Sequence, residues 1–199
     1  MPPTLLSLCP ATEYKLLVRP STEPMMEPLE DFFSGYAVAF TYNASAPATR
    51  EFRRLSKANK WEANKGPWVE ANRAFKTALI RQFNFTYGTN KSSLHDWHGV
   101  LRQIGVSPLP HTIGECQQIV ERSFVNLVDL VDARGDPDKV VRTFPNEKAL
   151  SSYTKRTKKI FPKGEAKAGG ILEFFLRHIF QPGEGAGKKR RRKKRATAN

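Results

Sequence analysis

Leu29, Phe32, Phe33 and Tyr36 fall at i, i+3, i+4 and i+7, the spacing of a single helical face. The pattern predicts a first helix closing near Gly35, then a loop over 42–47 with Asn43, Ser45 and Pro47 as turn residues. A second helix is expected over about 49–59, with Phe52 and Leu55 inward and Arg50, Arg53, Arg54 and Lys57 largely outward. The strongest periodicity follows. From Pro67, a favourable first helical residue, Trp68, Ala71, Phe75, Leu79 and Phe83 recur at three- to four-residue steps up to Gly88, a C-terminal glycine.

Ser92 and Ser93 offer an N-cap to a helix carrying Leu94, Trp97, Leu101 and Ile104, and Gly105 ends it. Pro108 and Pro110 force the next segment to be extended, because each disfavours helix in the residue before it. Thr112 and Glu115 form a capping-box pattern ahead of Ile113, Cys116, Ile119 and Val120. The apolar run 126–132, with Asp129 and Asp132 interspersed, predicts a short buried helix, and Val140, Val141 and Phe144 a small extended piece. Asn146 and Glu147 start another helix that reaches Lys159 and stops at Phe161-Pro162. A last helix is expected from about 166 to 180, burying Ile171, Leu172, Phe175, Leu176 and Ile179. The five prolines before residue 27 predict a mostly irregular arm, in which Tyr14 to Val18 form an apolar patch able to dock as a strand.

Charge changes the picture at the C-terminal end. Lys188, Lys189, Arg190, Arg191, Arg192, Lys193, Lys194 and Arg195 are eight consecutive cations that no packed core accommodates, so they are expected to be solvated or bound to something acidic. Of the net charge of +14 they supply eight, leaving 25 Lys and Arg against 19 Asp and Glu, or +6, for residues 1–187. Pro182 and the glycines up to Gly187 release this run as a detachable address of the kind nuclear import receptors read. The body carries two basic groups of its own. One comprises Arg50, Arg53, Arg54, Lys57, Lys60 and Lys65; the other Lys155, Arg156, Lys158, Lys159, Lys163 and Lys167, interleaved with Tyr153 and Phe161. Such groups occur on helix faces for solubility alone, and they become a nucleic-acid surface if they share one side of the molecule.

Other chemistry is thinly signalled. Cys9 and Cys116 are too far apart in unrelated contexts to suggest a disulfide framework. The apolar run at Leu5 to Cys9 has no preceding Lys or Arg and is shorter than the ~7 to 15 residues of a secretory signal, so no secretion is expected. His95, His98, His111 and Cys116 lack the paired short spacings of a closed zinc site. Cys116 falls on the buried face of its helix, where a thiol is a small hydrophobe rather than a nucleophile. Asp96 and Glu115 read as helix-cap acids, and Asp129 and Asp132 as helix-surface acids or salt-bridge partners rather than a reactive pair. Ala168-Gly169-Gly170 lacks the pattern of a phosphate-binding loop, although a helix N-terminus beside Lys163 and Lys167 would attract an anion. The connector in the 92–120 unit is longer than the ~3 to 4 residues of a helix-turn-helix, so base-specific readout is not expected.

The succession Phe32-Phe33 with Tyr36, Glu51-Phe52 with Leu55 and Trp61, Phe75 with Ala78-Leu79, Gln82-Phe83-Asn84, Tyr87-Gly88, Trp97 with Leu101 and Ile104-Gly105, and 126–132 resembles a group of uncharacterised fungal helical proteins over roughly residues 29–179. The resemblance implies a fungal source and a shared helical fold; no activity is established for the group, so it implies no catalytic residues.

The fold expected is therefore all-α, one compact domain of about six to eight helices over 28–180, with an irregular Pro-rich arm over 1–27 and a disordered, flexible basic tail over 181–199. The function expected is that of a non-enzymatic nuclear protein, without catalytic residues, metal or cofactor. Its tail, residues 188–195, would engage an import receptor, and a basic surface drawn from Arg53, Arg54, Lys57, Lys155, Arg156, Lys158, Lys159, Lys163 and Lys167 would contact DNA, RNA or chromatin. The alternative is a helical interaction module that holds a protein partner in an apolar groove and uses the tail only for localisation. No membrane partner is expected.

Overall fold

In the computed structural model, which describes residues 26–162 and 170–180, the second of these with side chains up to Leu176, the chain is mostly helical. The elements are α1 (Pro28–Ser34), α2 (Ala48–Ala58), α3 (Pro67–Tyr87), α4 (Leu94–Gln103), α5 (Ile113–Arg122), β1 (Phe124–Val125), α6 (Leu127–Ala133), β2 (Thr143–Phe144), α7 (Glu147–Thr157) and α8 (Leu172–Phe180). The arm over 1–25, Lys163, Lys167 and the whole tail lie outside the described residues, so the expectations placed on them are not addressed by this structure.

At 21 residues, α3 is about 30 Å long, enough to run the length of a small domain, and the other helices gather on it. Its apolar stripe of Ala71, Phe75, Ala78, Leu79 and Phe83 is buried, against α1 on one side and α4 and α6 on others. Phe83 is fully buried, and deletion of such a ring costs about 3 to 5 kcal/mol. Gln82 is also fully buried: its Oε1 accepts from the Leu29 amide at 3.2 Å, satisfying one of the N–H groups that the start of α1 leaves unpaired. At the far end, Gly88 has φ +79°, and a Cβ there would stand 1.9 Å from Asp96 Oδ2, so the turn into α4 requires glycine.

The expected caps are formed. Ser93 Oγ accepts from the Asp96 amide, and Thr112 and Glu115 make a reciprocal capping box at the start of α5. Trp97, at the centre of α4, is fully buried; its indole N–H donates to Lys91 O at 2.9 Å and its ring meets Phe174 of α8 edge-on. Phe174 and Phe175 seat α8 in the common core together with Ile171, Leu172 and Leu176. That helix begins at Leu172, later than the expected 166, and is preceded by Gly170, at φ +75°, where an added Cβ would stand 2.9 Å from Thr89 O.

Two departures concern the second half of the chain. Phe124 and Val125 pair antiparallel with Phe144 and Thr143 in a two-stranded ribbon, of which only the second strand was expected. In addition, α7 stops at Thr157 rather than Lys159, because Lys158 turns into the left-handed region at φ 60°. That helix contains no buried residue. It touches the body through β1 and β2, where Tyr153 meets the Phe144 ring, so its position depends on that ring contact and on polar ties. Asn126 supplies several. Its Oδ1 caps α6 by accepting from the Val128 and Asp129 amides, while its Nδ2 donates to Thr154 Oγ1 at 2.9 Å and Lys159 O at 3.0 Å.

Asn126→Ala is expected to lower stability by about 2 to 3 kcal/mol, the cap together with two buried-side hydrogen bonds. Asn126→Asp, which keeps the cap and loses both donations, is expected to recover about half. Urea unfolding followed by far-UV circular dichroism measures this; an Asn126→Asp variant as stable as the wild type would mean that the link to α7 carries no energy.

Candidate nucleic-acid interface

On α2, alternation of buried and exposed positions divides the helix cleanly. Ala48, Glu51, Phe52 and Leu55 face inward, whereas Arg50, Arg53, Arg54 and Lys57 are exposed at i, i+3, i+4 and i+7, one stripe about 10 Å long. The stripe is not uniform in charge. Arg54 grips the buried Glu51 with Nη1 at 2.7 and 2.6 Å from its two carboxylate oxygens and lies over the Phe40 ring at 5.0 Å, so much of its charge is used internally. Glu51, 1% exposed, also accepts from the Asn43 amide at 2.9 Å. Its burial was not expected, since nothing in the local pattern separates it from an exposed helix acid.

Arg53 reaches across to the other basic group. Its Nη2 donates to Thr157 O at 3.0 Å, the last carbonyl of α7, 104 residues away in sequence. The contact satisfies a helix-terminal acceptor and places a cation at the negative end of the helix dipole, where Lys155 and Arg156 also stand. Through it the exposed cations of α2 and those of the α7 terminus lie on neighbouring ground: Arg53 and Lys57 on one side, Lys155, Arg156 and Lys158 on the other, all exposed. Among the described residues no ion pair involves Arg50, Lys57, Lys155, Arg156 or Lys158.

Lys159 departs from the expected surface. It turns inward, 17% exposed, with Nζ 2.5 Å from Asp129 Oδ1 and 2.9 Å from Asp132 Oδ2. Burial alone would lower its affinity for a proton, but the two carboxylates outweigh burial and hold the ammonium above the ordinary lysine range. Asp132 is the costlier partner: burial pushes its carboxyl up, and Lys159 with the Ala48 amide, 2.8 Å away, only partly opposes this. Asp129 and Asp132 are accordingly the inner half of an ion triad joining α6, α2 and the turn after α7, the salt-bridge alternative of the two readings their spacing allowed. Phe161, one of the two aromatic residues interleaved with the second basic group, is buried in the core, while Tyr153 stays half-exposed.

Among the described residues, His95, His98, His111 and Cys116 form no group that could hold a metal ion. His95 is exposed, His98 bonds Pro110 O at 2.8 Å, His111 is exposed on the proline segment, and Cys116 is buried, which pushes its thiol up. Beside them Pro108, Leu109, Pro110, Ile119 and Arg122 line an open cleft on the outer side of α5. Among the described residues no helix is long and apolar enough to cross a membrane. No family model, curated protein or solved structure matches the chain.

Lys159→Met is expected to destabilise the fold by about 3 kcal/mol near neutral pH, because two buried carboxylates lose their counter-ion. In the wild type, a lysine raised above its ordinary value of 10.5 stabilises the fold at every pH below that value, and the contribution disappears only as pH rises past the raised one. In the variant the Asp132 carboxyl, which burial already raises, loses the Lys159 charge that opposes the rise, so the deficit should shrink as pH falls through the carboxylate range. Denaturation of both proteins at pH about 7 and about 4 tests this; a pH-independent deficit would remove the triad as its cause.

Proposed function

We propose that the protein is a non-enzymatic nuclear factor that contacts nucleic acid through the cationic ground shared by α2 and the end of α7. Residues 188–195 serve as its import signal and as a second electrostatic tether. The observation carrying this reading is the Arg53 to Thr157 contact at 3.0 Å, which joins two basic groups that lie about a hundred residues apart in sequence. The local acids weigh little against it: Glu51 is matched by Arg54, and Asp129 and Asp132 share Lys159, so the buried ion cluster offsets no more than one of the outward cations. A phosphate backbone is the partner such a surface suits, since each contact releases a condensed counter-ion and needs no base-specific geometry.

A second reading rests on the cleft beside α5. Its Pro108-Leu109-Pro110 wall and the side chain of Ile119 offer a protein partner an apolar surface, and in that case the tail handles destination alone.

Electrophoretic mobility and anisotropy titrations separate the two. Duplex affinity is expected to fall steeply with salt, and replacing Lys57, Lys155 and Lys158 together by Ala should reduce the log–log salt slope by about 2 to 3. An unchanged slope would show that these side chains do not meet phosphates. Deleting residues 188–195 is expected to shift a tagged protein from nucleus to cytoplasm, and retained nuclear accumulation would refute the import role.

A further inference from the structure

Across the flank of α7 four side chains follow one another in contact, the two central rings tilted by 42°. Arg142 holds its guanidinium over the Phe144 ring at 5.0 Å, Phe144 meets Tyr153 with centroids 4.9 Å apart, and Arg156 lies 6.0 Å over the Tyr153 ring. The inner rings are the packing contact that seats α7 on β2, with Phe144 7% exposed. The outer guanidinium groups belong to exposed residues, and each lies over an aromatic ring. The series ends one residue short of the cationic ground, since Arg156 precedes Thr157, whose carbonyl Arg53 engages.

A planar cation supported from behind presents a stacking face and a charge at the same place. Duplex nucleic acid can use the charge but keeps its base faces covered by their neighbours. A single strand can use both, laying an unstacked base on the guanidinium plane while its phosphates meet the adjacent cations. We propose that Arg142 and Arg156 are base-stacking platforms, and that the preferred ligand of this surface is single-stranded nucleic acid rather than duplex. The inference rests on the cationic-face reading above and narrows its ligand class. Lys155 and Lys57 supply backbone neutralisation, and the two arginines supply the preference for splayed bases.

Anisotropy titrations of the full chain with labelled oligo(dT) of about 20 nucleotides, and with a random-sequence duplex carrying the same number of phosphates, at about 0.1 M salt, test this. The single strand is expected to bind about tenfold tighter. The double variant Arg142→Lys with Arg156→Lys keeps both charges and loses both planes; it should weaken oligo(dT) binding about tenfold and duplex binding less than about twofold. Should that variant lose its cooperative melt, each single replacement carries the test, with an expected loss of about threefold on oligo(dT). Lysine variants that bind oligo(dT) like the wild type, or a duplex bound as tightly as the single strand, overturn the inference and leave the cationic-face reading standing. Failure of both probes to bind even at low salt overturns both.

Discussion

The ammonium of Lys159 between Asp129 and Asp132 is the constraint on which the α7 side of the molecule rests. A helix with no buried residue has little hydrophobic reason to stay in one place, and α7 is such a helix. What fixes it is a set of directional ties at its end: the triad pulls the following turn onto α6, Asn126 bonds Thr154 and the Lys159 carbonyl, and Arg53 caps the terminal carbonyl from α2. Opposite charges so placed are expensive to desolvate, and their gain lies in specifying position more than in raw stability. The cations carried by α7 are thereby held at a set distance from those of α2, instead of being distributed over a fraying segment.

The same arrangement sorts charge by depth. Acids near this face are drawn inward, Glu51 beneath Arg54 and the two aspartates beneath Lys159, and the unpaired Lys and Arg side chains remain outside. A body of modest net charge thus carries a local field well above its average, which is what long-range steering of an anionic ligand depends on.

Much of the fold was legible in the sequence, because apolar periodicity and caps are local signals: α3 was delimited by Pro67 and Gly88, α5 by the Thr112 and Glu115 pair, and α6 by its apolar run after Asn126. The parts that escaped depend on distant partners. A two-residue strand such as Phe124–Val125 is too short to show an alternation, and it exists through its pairing with Thr143–Phe144. Gln82 and Glu51 are buried because Leu29, Asn43 and Arg54 arrive to satisfy them. Lys159 looks like any other cation in its basic stretch until the fold brings Asp129 and Asp132 to it. Of the cationic face, Arg53, Lys57, Lys155, Arg156 and Lys158 were nameable from composition, but their adjacency was not. Arg142 gave no signal, since its role arises from the ring that Phe144 places beneath it.

Both basic helices end in the same unusual way. Lys60, just beyond α2, and Lys158, just beyond α7, occupy the left-handed region at φ 53° and 60°, a conformation in which glycine is the default and a side chain costs about 1 kcal/mol. The most economical way to make this protein more robust would be to place glycine at these two positions, and each replacement would erase a cation from one of the two basic groups. Thermal robustness and electrostatic reach are therefore opposed at the same two residues. A program of stabilisation guided by backbone geometry alone would blunt the surface that distinguishes this molecule from an inert helical domain.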